Sequence, residues 1–169
     1  MASTIIEGSG AKIALTKGPA GVILRHVVRR FNYELTELGT GDITAFDLGV
    51  QDPLLEQANL ASGTAVSILP SFYVPGSRQN FFDTQVIVLR DILAECEGVI
   101  KWGGDFESRT AEGYFQIDVP PDSPLITSVG LKISAWDASK DQGAGTQIDV
   151  VDPERRQDSL SLASEQQPN

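Results

Sequence analysis

The residues able to do chemistry in this chain are few and scattered. Of its 169 residues one is histidine, His26, and one is cysteine, Cys96. A zinc hydrolase built on two or three imidazoles is therefore excluded, as are an internal disulfide and a cysteine-based zinc knuckle. Carboxylates are plentiful, but Asp118, Asp122 and Asp137 lack the spacing of a calcium loop. Asp105 closes the stretch Trp102-Gly103-Gly104-Asp105 and suits a turn or cap carboxylate. His26 stands among Arg25, Arg29 and Arg30 and reads as a solvated or interface side chain, a ligand role needing a second imidazole. The arginine stripe and Arg155-Arg156 read as solvated charge, or as the complement of an acidic neighbouring subunit. Cys96 falls at helical spacing from Leu89 and Leu93 and reads as a small core hydrophobe.

Composition narrows the classes further. The chain is 41% hydrophobic and 21% charged, which is ordinary for a soluble globular domain with a sizeable core. Its net charge of −10 opposes phosphate backbones, so no nucleic-acid partner is expected. No apolar run reaches the roughly 20 residues of a membrane helix. The opening MASTIIEGSGAK has neither a basic n-region nor a long apolar h-region, so no Sec-type signal is expected.

Several elements must position these residues. Residues 1–18 read as an extended arm or edge strand. Gly18-Pro19 opens a helix of about 20 residues, in which Leu24, Val27, Val28, Phe31 and Leu35 form an apolar stripe with the arginines on the wet side. Residues 42–58 are irregular, and Thr64 to Leu69 alternates as a strand. Asp83 or Thr84 caps a second helix carrying Val86, Leu89, Leu93 and Cys96 on one face. Val99 to Trp102 and Tyr114 to Val119 are strands. Ser128 to Trp136 and Thr146 to Val151 read as a β-hairpin or strand pair, and 152–169 has the composition of a disordered tail.

Three stretches in order carry a pattern: LRHVVRRFNYELTEL, NLASGTAVSILP and VIKWGGDFESRTAEGYFQI. Together they resemble the zinc peptidoglycan peptidases of the D-alanyl-D-alanine carboxypeptidase (Hedgehog-like) family, above all versions encoded among the tail genes of actinobacterial phages. The resemblance spans about residues 20–119. WGGD after a strand, with ASGTA upstream, is the specific part of it.

The resemblance implies an α+β fold, a small antiparallel sheet packed against two main helices, with extra C-terminal strands and extended terminal arms. It divides the chain into an arm at 1–18, a degenerate peptidase-like domain at 19–119, added strands at 120–151 and a polar tail at 152–169. It also implies a site. The family's zinc is held by two histidines and an aspartate, with a carboxylate nearby to move the proton. Carried onto this chain, those positions are Leu60, Tyr114 and Ser67 for the ligands and Ala111 for the carboxylate. Glu112 stands one step from the last, on the opposite face if the segment is a strand. The arginine that would hold a substrate carboxylate is missing from AFDLGVQD, which offers Asp47 and Asp52 instead. Gly63, Gly103 and Gly104 survive as tight-turn residues, and Trp102, Phe106 and Phe115 as core.

The expectation is thus a pseudoenzyme with no catalytic residue, metal or cofactor. Its expected role is a structural minor tail protein at the tip or baseplate of a phage virion, in multiple copies contacting other tail subunits through its two ends. The alternative is a cell-wall binding module for peptidoglycan or glycan, with Phe72, Tyr73, Trp102 and Tyr114 as stacking surfaces. Leu60 and Tyr114 are expected to pack together in the former pocket.

Overall fold

The computed structural model describes residues 1–46 and 58–168. Asp47, Asp52 and the residues between them, in the segment that lacks the family's substrate arginine, lie outside these residues. The described fold is mixed α+β, with two small antiparallel sheets and five α-helices. No helix among the described residues is long and apolar enough to cross a membrane.

The chain opens with a hairpin of β1 (Ala2–Ile5) and β2 (Lys12–Leu15), paired from Ala2↔Leu15 to Ile5↔Lys12. Helix α1 (Pro19–Glu34) follows, with Pro19 in its first turn, where the missing N–H costs nothing. The second sheet has the order β3-β4-β6-β5, formed by β3 (Ile43–Thr44), β4 (Ala65–Ile68), β5 (Ile100–Trp102) and β6 (Tyr114–Ile117). Between these strands lie the short α2 (Ala58–Ser62) and α3 (Asp83–Glu95). Two further helices, α4 (Pro124–Asp137) and α5 (Pro153–Gln166), complete the chain.

Alternation along the strands divides the second sheet into two faces. Val66, Ile68, Ile100, Trp102 and Phe115 turn toward α1, where Phe31 meets Phe115, Tyr73 and Phe81 edge-on at ring-centroid distances of 6.1–6.2 Å. These residues belong to one continuous core with the Leu24, Val27 and Val28 stripe, the inner face of α3 and the hairpin's Ile6, Ile13 and Leu15. Cys96 is fully buried there, and burial pushes its thiol up to about 12.

Four expectations are corrected. Ser128 to Trp136 is not a strand. Ser123 caps a helix there, its hydroxyl accepting from the Leu125 N–H, with Pro124 in the first turn. Ile126, Val129 and Ile133 then bury one face against α1 at helical spacing. Thr146 to Val151 forms no strand either; it is irregular chain leading into α5. Residues 153–166 are helical rather than a disordered tail, because Asp152 accepts from the Glu154 and Arg155 N–H groups and Pro153 opens the first turn. Finally, of the two readings of residues 1–18, the edge strand holds and the free arm does not: β1 and β2 form a hairpin that contributes to the core. A smaller adjustment concerns α3: the cap position is Phe82, whose N–H is satisfied by the Gln85 side chain, rather than Asp83 or Thr84.

Candidate functional site

The outer face of the second sheet carries the positions where the resemblance places a zinc site. Ser67 stands directly across from Tyr114, and Ala65 from Gln116. Leu60, Ala65, Phe106, Ala111 and Tyr114 form a separate buried cluster on this face, each at most 7% exposed. The Phe106 and Tyr114 rings lie 5.8 Å apart and tilted by 55°, and the Lys101 ammonium sits 5.8 Å from the Phe106 centroid. The structure thus brings Leu60, Ala111 and Tyr114 into one apolar plug, with half-buried Ser67 beside it across the strand pair.

Local geometry explains the glycines of the ASGTA and WGGD stretches. Gly63 ends α2 with φ +69, and a Cβ there would come within 2.6 Å of the Met1 side chain. Its carbonyl accepts the Thr16 N–H at 3.1 Å, tying the hairpin to the start of β4. Gly103 accepts the Ala111 N–H at 2.9 Å, and a Cβ on it would lie 2.1 Å from the Ala111 carbonyl oxygen. Gly63 is therefore favoured by its positive φ, and Gly103 by the close approach of the Ala111 backbone. Glu112 is nearly buried and faces away from the plug. Its carboxylate accepts from the Gln79 N–H at 2.7 Å, the Asn80 N–H at 2.9 Å and the Asn80 side-chain amide at 3.0 Å. It clamps a loop.

The donor set does not fit a zinc ion. Leu60 and Ala111 have no lone pair to offer, and serine and tyrosine hydroxyls are poor ligands for zinc unless ionised. Among the described residues, no three His, Cys, Asp or Glu side chains form a group able to hold a metal. The stacking surface expected for a cell-wall ligand is not assembled either. Tyr73, Trp102 and Tyr114 are at most 5% exposed, and only Phe72 faces solvent.

The ionisable groups concentrate instead where α1, α3 and α5 meet. His26 is buried, with Nε2 2.7 Å from Glu95 Oε2, and its ring lies 5.7 Å from Trp136. Arg30 is fully buried and donates to Asp91 at 2.6 Å and to both Glu34 oxygens. Arg155, from the first turn of α5, reaches the same pair, at 2.6–2.9 Å from Asp91 and 2.7 Å from Glu95. Burial would raise the Glu95 carboxyl, but the hydrogen bond from His26, the charges of Arg30 and His26 and the hydrogen bond from Arg155 outweigh it and hold it at about 2. The Arg30 guanidinium is pushed up despite its burial, by the hydrogen bond to Glu34 and the surrounding carboxylates. Arg29 and Arg25 both pair with Asp137 on α4, at 2.7 and 2.6 Å.

These contacts overturn the reading of His26, Arg29, Arg30 and Arg155 as solvated charge. A helix that looks amphipathic in sequence is covered on its polar side by α3 and α4, whose carboxylates meet its cations. Asp105 likewise is no simple cap. It forms a buried, two-pronged ion pair with Arg90, both contacts 2.6 Å, and Arg90 lies 5.0 Å over the Trp102 ring. Spacing could have signalled one part of this network: Arg30 and Glu34 stand four apart, as do Asp91 and Glu95. A cleft of about 610 Å³ lies beside it between α3, α4 and α5, bordered by Glu95, Glu97, Lys132, Trp136, Arg155 and Asp158.

Comparison with known proteins is sparing. The chain matches no family model, and no solved structure matches it. It is similar to O-phospho-L-seryl-tRNA:Cys-tRNA synthase 1 of Methanoregula boonei, 29% identical over 96 residues. That stretch is 55% of this chain and spans about a quarter (24%) of the archaeal protein.

Proposed function

We propose that this chain is a non-catalytic structural subunit of a phage virion, a minor tail protein of the tip or baseplate built on an inactivated zinc-peptidase scaffold. The observation that carries the non-catalytic part is the plug of Leu60, Phe106, Ala111 and Tyr114. It occupies the face where ligands and a proton-transfer group would stand, and none of the four supplies a metal ligand suited to zinc. The phage-tail part rests on the resemblance of the ASGTA and WGGD stretches to tail-encoded peptidases. Helix α5 packs on α3 of its own chain, so order at the C-terminus needs no neighbouring subunit. An assembly role would use surfaces other than a wrapped tail.

The test is the composition of particles. Antibody raised against the full chain is expected to label the tail end of purified virions in electron micrographs, with the chain found by mass spectrometry at fixed stoichiometry. Its absence from purified particles would remove the virion reading, and labelling of the capsid alone would move it to the head.

A further inference from the structure

The two sheets treat their edges differently. On the second sheet, edge strand β5 carries Lys101 at its centre, and the Gln166 side chain of α5 donates to the Ile100 carbonyl at 2.9 Å. A charge and a covering helix are common means of blocking an edge against pairing with another chain. Edge strand β1, Ala2-Ser3-Thr4-Ile5, has neither of these, nor a proline. The Ile6 N–H donates to Ala11 across the hairpin, and alternation makes Thr4 and Ala2 the next residues bonded to β2. Ser3 and Ile5 therefore aim their backbone N–H and C=O groups outward, and Ile5 is 61% exposed.

We propose that β1 pairs antiparallel with β1 of a second copy of this chain, joining the two hairpins into one four-stranded sheet. The edge is self-complementary about Thr4. With Thr4 on the two-fold axis, Ser3 faces the partner's Ile5, Ile5 faces the partner's Ser3, and all four sets of outward groups are matched. The same register puts Thr4 opposite the partner's Thr4 and brings the two exposed Ile5 side chains diagonally together. Charge favours it at the ends. Glu7, which meets Arg29 at 3.0 Å but keeps its side chain 68% exposed just beyond β1, would lie at the end of the sheet where the partner's Lys17 stands. Lys17 is exposed and has no ion-pair partner among the described residues. In a chain of net charge −10, the strand itself is neutral, so two copies can approach there without like-charge repulsion. A hairpin of two strands gains ladder bonds and covered apolar surface by becoming four.

The pairing does not depend on the virion reading, and the two can fail separately. Sedimentation of the full chain over a micromolar to millimolar range is expected to show a concentration-dependent dimer. Ile5→Lys, which puts a charge on the edge, and Ser3→Pro, which removes an outward N–H without touching the hairpin ladder, are expected to weaken it at least about tenfold. Unchanged thermal unfolding at a concentration where the natural chain is also monomeric would show that the hairpin survives. Independently, Thr4→Cys in the otherwise unaltered chain is expected to form a disulfide-linked dimer on mild oxidation, since facing residues of a non-bonded pair stand about 4.5 Å apart. Val151→Cys, exposed on the far loop, serves as control; native Cys96 is buried. A monomer throughout, a dimer indifferent to both edge variants, or Thr4→Cys no faster to cross-link than Val151→Cys would each overturn the proposal.

Discussion

The outer face of the second sheet and the junction of α1, α3 and α5 are opposites in chemistry. The face where the resemblance places ligands is filled by Leu60, Phe106, Ala111 and Tyr114. The helical junction, where the sequence suggested solvated arginines, holds His26, Arg30, Asp91 and Glu95 under cover, with Arg155 closing the rim. Neither region has the form of an active site, for different reasons. The plug offers no carboxylate, imidazole or thiolate; its one polar side-chain group is the Tyr114 phenol. The junction has such groups in number, but they are committed to one another. A perturbed carboxylate is a useful pointer to function only when something other than structure explains its partners; here structural ion pairs account for Glu95.

This contrast can be broken from either side. The largest effect is expected at the junction. Asp91→Ala removes a carboxylate shared by Arg30 and Arg155 and leaves the fully buried guanidinium of Arg30 short of a partner, at a cost of about 3–5 kcal/mol in denaturant unfolding. At the plug, Leu60→Ala is expected to cost about 2–3 kcal/mol, the lower part of the range for buried leucine because the cluster is small. If Leu60→Ala proved neutral, the plug would be incidental to the fold. Arg155→Ala should cost less, about 1 kcal/mol, because its side chain is one-third exposed and Arg30 still faces both carboxylates.

Acid should act at the junction through Glu95. Glu95 is held near 2, below its ordinary 4.5, so its contribution to stability is full above about 4.5 and is lost as pH falls through about 2. Thermal unfolding followed across that window should show a steeper decline for the natural chain than for Glu95→Gln. Parallel declines would assign the loss to other carboxylates.

The parts of this fold that were legible in sequence are those set by local pattern. The Leu24-to-Phe31 stripe, the strand before Pro70 and the Leu89/Leu93/Cys96 face need only periodicity. The misread C-terminal third teaches more. Ser123-Pro124 and Asp152-Pro153 are the same signal, a capping side chain followed by proline in the first turn, and each starts a helix. In 128–136 the apolar residues fit an alternating reading as well as a helical one, and the cap decides between them. Helix α5 has hardly any apolar stripe; only Ser159 and Ala163 are buried, and it is anchored by Arg155 and Gln166. Composition could not announce it, since its partners stand about 60 residues away on α3 and β5. For the same reason the arginines of α1 looked solvated: their carboxylates at Asp91, Glu95 and Asp137 are remote in sequence. Of the positions that the resemblance names, Leu60, Ala111 and Tyr114 share one buried cluster, while Phe106 and the turn that brings Ala111 against Gly103 were not legible in advance.

The central claim is the proposal that the face where the resemblance places a zinc site supports no metal chemistry. The most direct measurement is a zinc titration by calorimetry on the purified full chain, paired with an assay for hydrolysis of peptides ending in D-alanyl-D-alanine. No stoichiometric zinc binding and no zinc-dependent hydrolysis are expected. One zinc per chain together with release of D-alanine would contradict the account.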